Sequence, residues 1–341
     1  MITRFAERVG QAADTLVGLP APYPGAYADT WMSLLRARAV ITGTRLGVFD
    51  ALPGSTAELA ERCGARADRL VVLLEALRSL RYVRRDRRGV WHPTRRARQH
   101  LMAGARQPLR HVAGELSAAN WEVLCTLDDV VRGDAPPGLH DGVAEPRVFA
   151  GYQAAMTELV EFTLPVVLKA IGRPRRLLDI GGGPGTLAVR ACERVHGLTA
   201  VVAEFPDAAA LGRERVAAAG LADRVTYVEG DARSSPLAPG FDVATLVSVL
   251  HNVDRETCVG LVRRAGELSD RVLILELEAG ATQIGALASL AFTGWMGSRA
   301  WTGDELAGIA HDAGLVDVKV RRPLRLPGNL LVEARPARTG G

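Results

Sequence analysis

The sequence predicts an α/β fold for its C-terminal half, preceded by a mainly helical N-terminal half. From residue 175 onward, short β-branched runs alternate with stretches rich in Ala, Arg and Glu, a pattern typical of a parallel sheet with crossover helices. Before residue 171, apolar residues recur mostly at helical spacing. The chain has 341 residues, more than one typical domain. We therefore predict two domains, residues 1–165 and residues 166–341.

Composition excludes several classes of protein. The chain is 48% hydrophobic and 23% charged, which is ordinary for a folded globular protein and excludes a disordered one. The four cysteines are scattered without a CxxC pair, so we expect no metal site. No apolar run approaches the roughly 20 residues needed to cross a bilayer, and the charged start does not resemble a secretory signal. We expect a cytoplasmic protein without membrane contact.

The N-terminal half contains signals for a small helical unit with a hairpin. Residues 29–52 have apolar residues at helical spacing, and Ser55 with Glu58 forms a capping box before a short helix. A second helix follows over residues 67–80, with leucines on one stripe. Residues 82–91 then form two extended pieces around a glycine turn. This order predicts a winged-helix unit, followed by a loop over residues 133–142 and a helix over residues 146–171.

The C-terminal half is predicted to alternate strands with helices. Its strands are expected at residues 176–180, 199–204, 225–229, 243–249, 272–277, 316–320 and 330–334, and its helices at residues 186–195, 207–219, 256–267 and 303–313. The last two strands have no helix between them, so they should pair as an antiparallel hairpin.

A glycine-rich turn after the first of these strands predicts a nucleotide-type ligand. Residues 179–185 read Asp-Ile-Gly-Gly-Gly-Pro-Gly, where Gly181 and Gly183 permit a tight turn and close ligand approach. Glu204 ends the next strand, where a carboxylate can bind ribose hydroxyls. Asp231 follows the third strand and can accept from an adenine amine. A plain loop remains the alternative for the glycine turn alone.

The spacing of these residues selects among nucleotides. Thr186 stands where a dinucleotide fingerprint has its third glycine, and no GKS/T sequence is present to bind phosphates. Asp179 would repel a phosphate but suits the ammonium of an amino acid. A ligand with a ribose, an adenine and a cation but no phosphate fits best, so we predict S-adenosylmethionine as the cofactor.

With these motifs, nearly the whole chain resembles the S-adenosylmethionine-dependent small-molecule O-methyltransferases of the plant caffeate and bacterial polyketide-tailoring type. The resemblance includes residues 178–185, Glu204, residues 230–231 and the run Val-Leu-His-Asn-Val-Asp over residues 249–254. It implies a Rossmann-like sheet of seven strands with the last strand antiparallel. It also implies an N-terminal winged-helix dimerisation domain, a homodimer, and a role in secondary metabolism such as antibiotic biosynthesis.

The resemblance also implies a catalytic pair. The histidine at the position of His251 is the general base in that family, and Glu276 matches one of its flanking acidic residues. The second acidic residue is replaced here by Ala300, and the family's His-Asp-Trp reads His251-Asn252-Val253. The expected function is O-methylation of a hydroxyl on a small aromatic or polyketide-like molecule.

The remaining site residues follow from position in these motifs. We expect the cofactor to contact Asp179, Gly181, Gly183, Glu204, Asp231, Ala232 and Ser248. We expect the acceptor to contact Tyr152, Met156, Asn252, Phe292 and Trp295.

Several alternatives stay open at the level of sequence. His251 can be a capping residue at a strand-to-helix junction, and the aromatic residues near 295 can be ordinary core. The departures at Ala300, Asn252 and Val253 allow a carbon, nitrogen or carboxyl acceptor, or a cofactor that does not donate its methyl group. The arginines of residues 84–88 allow a DNA-binding regulator that senses S-adenosylmethionine, although a solvated wing without nucleic acid is favoured.

Overall fold

The structure, a computed structural model, describes residues 25–136, 138, 146–280 and 282–337. It divides into two compact units between Ala118 and Ala119. The boundary predicted at residues 165/166 lies within a long helix of the second unit. The C-terminal part of the predicted loop at residues 133–142 lies largely outside the described residues.

The first unit is a group of helices with a two-stranded hairpin. Its elements are helix Gly25–Tyr27, the π-helical segments Ala28–Met32 and Val112–Leu116, helices α1 (Ser33–Arg45), α2 (Val48–Ala51), α3 (Thr56–Arg62), α4 (Ala67–Ser79) and α5 (Arg95–His100), and strands β1 (Val83–Arg85) and β2 (Trp91–Pro93).

The predicted capping box at the start of α3 is confirmed. The Ser55 side chain accepts from the Glu58 backbone N–H, and the Glu58 carboxylate accepts from the Ser55 N–H at 2.7 Å. Behind this cap, the fully buried Trp91 donates its indole N–H to the Thr56 hydroxyl at 3.0 Å. The hairpin is therefore fixed to the start of α3. Its second strand ends at Pro93, two residues beyond the end predicted from the sequence.

The second unit combines a sheet with helices on both sides. Its elements are helices α6 (Ser117–Leu124, which contains the division between units), α7 (Leu127–Arg132), α8 (Pro146–Ile171), α9 (Thr186–Arg194), α10 (Pro206–Ala218), α11 (Arg255–Leu268), α12 (Gln283–Met296) and α13 (Gly303–Asp312), the 3₁₀ turn Leu250–Asn252, and strands β3 (Arg176–Ile180), β4 (Thr199–Glu204), β5 (Val225–Glu229), β6 (Val243–Val247), β7 (Val272–Leu277), β8 (Leu315–Arg321) and β9 (Asn329–Pro336).

The sheet has seven strands in the order β5-β4-β3-β6-β7-β9-β8. Strands β3 to β7 pair in parallel, whereas β9 is antiparallel to both β7 and β8. The predicted α/β class with an antiparallel last strand is confirmed. The strand order reverses direction between β3 and β6, and ligands of open α/β sheets bind at such a reversal.

Alternating side chains of the strands build a hydrophobic core on each face of the sheet. In β3, Leu177 enters the cluster that contains helices α8 and α9, while Leu178 enters the cluster that contains α11 and α13. Because both faces are buried, the strand reads as a continuous apolar run. These two cores hold the carboxyl ends of the strands in fixed positions.

Helix α12 was not predicted from the sequence. The stretch before α13 is rich in glycine and tryptophan, and the sequence analysis assigns no element to it. The structure instead places a helix over Gln283–Met296, begun by Thr282, whose hydroxyl accepts from the Gly285 N–H at 3.1 Å. Gly297, with φ +67°, ends it.

Among the described residues, no helix is long and apolar enough to span a membrane.

Loss of the capping hydroxyl at α3 should lower stability. We expect Ser55→Ala to reduce the free energy of unfolding by about 1 kcal/mol, because the first backbone donors of the helix lose their acceptor. Denaturant unfolding followed by circular dichroism measures the change. Ser79→Ala, which removes an exposed hydroxyl bonded to Ala76 O, is the matched control. Equal effects of the two substitutions would contradict the capping role.

Candidate active site

Acidic and polar side chains lie at the carboxyl ends of adjacent parallel strands. Asp179 is the second-last residue of β3, and Glu204 is the last residue of β4. Ser248 directly follows β6, and Glu276 is the second-last residue of β7. Parallel strands bring these ends to one edge of the sheet, next to the reversal between β3 and β6. These four residues therefore lie along one edge of the sheet.

The glycine turn after β3 leaves no room for side chains. Gly181 and Gly183 have φ values of +65° and +53°, in the left-handed region that favours glycine. A Cβ atom at Gly181 would lie 2.7 Å from Cγ2 of Val249. The tight turn predicted at both glycines is therefore present, and close approach of a ligand there stays a prediction.

Asp179 is a buried carboxyl group with an incomplete set of partners. Its side chain is 1% exposed, and Oδ1 accepts from the Thr245 hydroxyl at 2.8 Å. Its Oδ2 atom is buried without a hydrogen-bond partner in the described structure. Burial raises the pKa of Asp179 to about 7; the Thr245 hydrogen bond opposes this rise and the charge of Glu204 adds to it. An orphaned acceptor of this kind suits a ligand that brings a donor.

Glu204 and Asp231 both engage groups of the protein. Glu204 accepts from the Gly183 N–H at 2.7 Å through one oxygen and from the Phe205 N–H at 2.7 Å through the other, which ties β4 to the glycine turn. Asp231 forms an ion pair with Arg233 at 2.6 Å. This guanidinium holds the pKa of Asp231 below its usual range. Ala232, between them in sequence, is buried.

Ser248 has a conformation that is rare for a residue with a side chain. Its φ is +57°, and its N–H donates to Leu275 O at 2.8 Å. A non-glycine residue in the left-handed region costs free energy and occurs preferentially at functional sites. The turn that begins here carries the chain from β6 into Leu250–Asn252, and the Ser248 side chain is exposed. Its contact with the cofactor stays a prediction.

His251 and Glu276 form a buried pair. Nδ1 of His251 lies 2.6 Å from Oε2 of Glu276, and the side chains are 11% and 1% exposed. The other carboxylate oxygen accepts from the backbone N–H groups of Val249 and Leu250 at 2.8 and 2.6 Å. The carboxylate is thus fixed by three donors. It accepts the Nδ1 proton of the imidazole, which leaves the lone pair on Nε2.

Side chains from α12 and the segment after it pack on the turn Leu250–Asn252. The Phe292 ring stacks on the His251 imidazole, with centroids 4.0 Å apart and an angle of 14° between the planes. The Ser298 hydroxyl donates to His251 O, and the Trp301 indole N–H donates to Leu250 O at 3.0 Å. Sequence reasoning missed the roles of Ser298 and Trp301, because both depend on the helix that it did not predict.

The other residues predicted to contact an acceptor lie in two places. Tyr152 and Trp295 have ring centroids 6.5 Å apart, and Trp295 is 4% exposed, with its indole N–H bonded to Asn120. Burial, with a smaller effect of the Glu204 charge, raises the pKa of Tyr152 to about 12. Met156 is half-buried on the same helix as Tyr152.

A cavity borders the chain at Asn252 and Val253, directly after His251. Asn252 donates its amide to Ser248 O at 3.3 Å and borders an open cavity of about 610 Å³, together with Val253, Met296 and Arg299. Neither His251 nor Phe292 lines it.

The amino-acid sequence and the fold resemble those of known methyltransferases. Residues 139–291 match the family model of the O-methyltransferase domain. The chain is 25% identical, over 88% of its length and 91% of the relative's, to the 3-hydroxy-5-methyl-1-naphthoate 3-O-methyltransferase of Streptomyces sahachiroi. Residues 139–291 therefore match an O-methyltransferase domain, and the chain is similar over most of its length to an S-adenosylmethionine-dependent O-methyltransferase.

Other proteins that the chain resembles have different names and activities. The chain is 36% identical, over 55% of its own length and 55% of the relative's, to the aclacinomycin 10-hydroxylase of Streptomyces purpurascens. The fold matches human N-acetylserotonin methyltransferase in complex with S-adenosylmethionine, with a TM-score of 0.85, 19% identity, and coverage of 94% of this chain and 100% of that chain. That likeness concerns the fold.

The buried Asp179 should make stability depend on pH. Its pKa of about 7 in the folded state exceeds the ordinary value of 3.8, so the folded chain keeps a proton that the unfolded chain releases. Stability should therefore fall as pH rises from about 4 to above 7. Without ligand, we expect Asp179→Asn to raise the free energy of unfolding at pH 8 by on the order of 2 kcal/mol and to leave it nearly unchanged at pH 4.

Denaturant unfolding of both proteins at several pH values measures this difference. Asp223→Asn, at an exposed aspartate, is the matched control and should change neither curve. Parallel pH curves for the unaltered protein and Asp179→Asn would contradict the assignment.

Proposed function

We propose that this enzyme transfers the methyl group of S-adenosylmethionine to a hydroxyl of a small aromatic or polyketide-like natural product, with His251 as the general base. The observation that carries the proposal is the buried His251–Glu276 pair at the carboxyl edge of the sheet. The naphthoate O-methyltransferase relative supports an aromatic acceptor of this class.

The residues at the sheet edge fit the cofactor. The orphaned Oδ2 of Asp179 can accept from its ammonium group, and the backbone of the glycine turn can lie against its amino-acid portion. Glu204, at the end of the second parallel strand, is placed to accept from ribose hydroxyls in exchange for its bond to Gly183. When bound, S-adenosylmethionine supplies an electrophilic methyl group.

The task left to the protein is to remove a proton and to orient the acceptor. A phenol has a pKa near 10, so at neutral pH it needs a base within hydrogen-bond distance. Because Nδ1 of His251 donates to Glu276, Nε2 can accept the hydroxyl proton. The Glu276 carboxylate then stabilises the imidazolium that forms, a role that carboxylates also have in other histidine-based sites.

Burial of the pair supports this chemistry. Glu276 is 1% exposed and Phe292 covers one face of the imidazole, so water is largely excluded from the base. Reaction of an oxyanion with a cationic donor cancels charge, which a dry apolar site favours. Precise orientation of the acceptor supplies much of the remaining rate.

A homodimer through the N-terminal unit is part of the proposal. The described helices there expose large apolar side chains, including Trp31 at 54%, Leu34 at 46% and Leu35 at 46%. An exposed apolar patch of this kind is typical of a protein interface. Light scattering of Leu34→Glu/Leu35→Glu should report a monomer where the unaltered protein gives a dimer.

A second candidate is methylation of a carbon, nitrogen or carboxyl group, or a reaction in which the cofactor does not donate its methyl group. Two observations favour it: Ala300 replaces the family's second acidic residue, and a hydroxylase is among the relatives. An acidic acceptor needs no strong base, so a flat pH–rate profile around neutrality would support this candidate. Mass spectrometry of the product separates the addition of a methyl group from the addition of oxygen.

Removal of the base should separate binding from turnover. We expect His251→Ala to bind S-adenosylmethionine with unchanged affinity by calorimetry, since Asp179 and Glu204 are intact. Its turnover should fall roughly 10²- to 10⁴-fold, the usual contribution of a general base. His196→Ala, at an exposed histidine, is the control and should keep full activity.

Glu276→Gln should also lose activity while keeping cofactor affinity, because an amide in this position no longer selects the Nδ1–H tautomer of His251. Undiminished O-methylation by His251→Ala would remove that residue from the mechanism. Absence of saturable S-adenosylmethionine binding to the unaltered protein would defeat the proposed function as a whole.

A further inference from the structure

We propose that Phe292 and Trp301 are positioning residues that orient the His251 imidazole in place of the second acidic residue that this chain lacks. The inference rests on the proposed role of His251 as the general base. It concerns the geometry of the base, and its test is separate from the test of that role.

The position of the missing acidic residue is closed. Ala300 is 1% exposed, and its backbone N–H donates to the Ser289 hydroxyl at 3.1 Å. Within the described residues, Glu276 is the carboxylate bonded to the His251 ring. A single hydrogen bond at Nδ1 fixes one atom of the ring but allows the plane to tilt about the Nδ1–Oε2 line. A further contact is needed to direct Nε2.

Phe292 supplies that contact. Its ring is nearly parallel to the imidazole, at 14°, with a centroid distance of 4.0 Å. A face-on ring resists tilting of the imidazole, and its negative face attracts the imidazolium that forms on proton transfer. The stacked ring thus restrains the plane that the hydrogen bond to Glu276 leaves free.

Trp301 fixes the backbone that carries the imidazole. Its indole N–H donates to Leu250 O at 3.0 Å, in the residue before His251. The indole is 6% exposed, so this bond is protected from water. Ser298, whose hydroxyl donates to His251 O, adds a second link from the same segment. The turn Leu250–Asn252 is therefore held from both its backbone and its ring.

Close backbone packing holds helix α12, and with it Phe292, in place. The glycine at position 285 lies directly against the carbonyl oxygen of Glu278, where a Cβ atom would clash. Near the other end, a Cβ atom at Gly294 would lie 3.3 Å from the Leu127 side chain. Glu278 is itself paired with Arg322. The helix that carries Phe292 is thus anchored to the end of β7, the strand that carries Glu276.

Nuclear magnetic resonance of the His251 ring tests the proposal without turnover. In the unaltered protein we expect the Nδ1–H tautomer and an upfield ring-current shift of the imidazole protons from Phe292. In Phe292→Leu the ring-current shift should vanish, and the Nδ1–H proton should exchange faster with water, because the imidazole can tilt away from Glu276. Phe292→Tyr should restore both properties. An unchanged Nδ1–H exchange rate in Phe292→Leu would overturn the proposal.

Kinetics with a hydroxynaphthoate acceptor provide the second arm. We expect Phe292→Leu to lower kcat roughly three- to thirtyfold, the range of a cation–aromatic contact, with less than a threefold change in acceptor KM. Phe162→Leu, at a partly exposed phenylalanine of α8, is the matched control. A raised KM with unchanged kcat would identify Phe292 as an acceptor-lining residue instead and refute the positioning role.

Trp301→Phe tests the second residue. It removes only the indole donor, and the Cys258 thiol still bonds to Leu250 O at 3.2 Å, so folding should survive. We expect a fall in kcat of twofold or more, unchanged S-adenosylmethionine affinity, and a nonadditive effect when it is combined with Phe292→Leu. Additive, independent effects would overturn the joint role. Full activity of His251→Ala would instead defeat the proposed function.

Discussion

The rest of the site depends on the hydrogen bonds of the Glu276 carboxylate. This carboxylate accepts hydrogen bonds from two backbone N–H groups of the turn after β6 and from Nδ1–H of His251. One buried side chain therefore sets the path of the backbone and the tautomer of the ring together. Because the carboxylate is supplied by β7 and the imidazole by the turn after β6, the pairing of these two strands sets their separation. Removing one partner of such a buried pair leaves the other uncompensated.

The sheet places the two parts of the site on either side of its reversal point. Strands β3 and β4 carry the residues that fit the cofactor, whereas the turn after β6 carries His251 and β7 carries Glu276. The hydrogen-bonded register between Leu177 of β3 and Val243 of β6 joins the two halves. The turn that carries His251 and the glycine turn thus meet through Val249, which packs against Gly181. The distance between these two turns therefore depends on the pairing of the strands that they follow.

Sequence reasoning succeeded where local pattern and tertiary environment agree. Strand β3 was predicted at residues 176–180 and β7 at residues 272–277, and both have those bounds, because continuous apolar runs between turn residues are typical of strands buried on both faces. The capping box at Ser55 is a local interaction and was predicted with its partner. His251 and Glu276 were paired by resemblance to a family, and the structure brings them to 2.6 Å.

Prediction from the sequence failed where contacts between residues distant in sequence determine the local structure. Helix α12 contains Gly285 and Gly294, both poor helix formers, and is fixed by packing against Glu278 and Leu127 that no local pattern reveals. The Phe292 stack and the Trp301 bond depend on that helix. Asp231 was expected to meet an adenine amine, and whether it does stays a prediction; the structure adds its ion pair with Arg233, two residues away.

The orphaned oxygen of Asp179 ties the lifetime of the protein to its metabolic surroundings. A fold that holds a buried carboxyl group with one oxygen unsatisfied is stabilised by any ligand that donates to it, by an amount that grows with ligand concentration. Proteases cleave the transiently opened chain in proportion to its population. With S-adenosylmethionine as that ligand, cells depleted of it would therefore degrade this enzyme faster than replete cells.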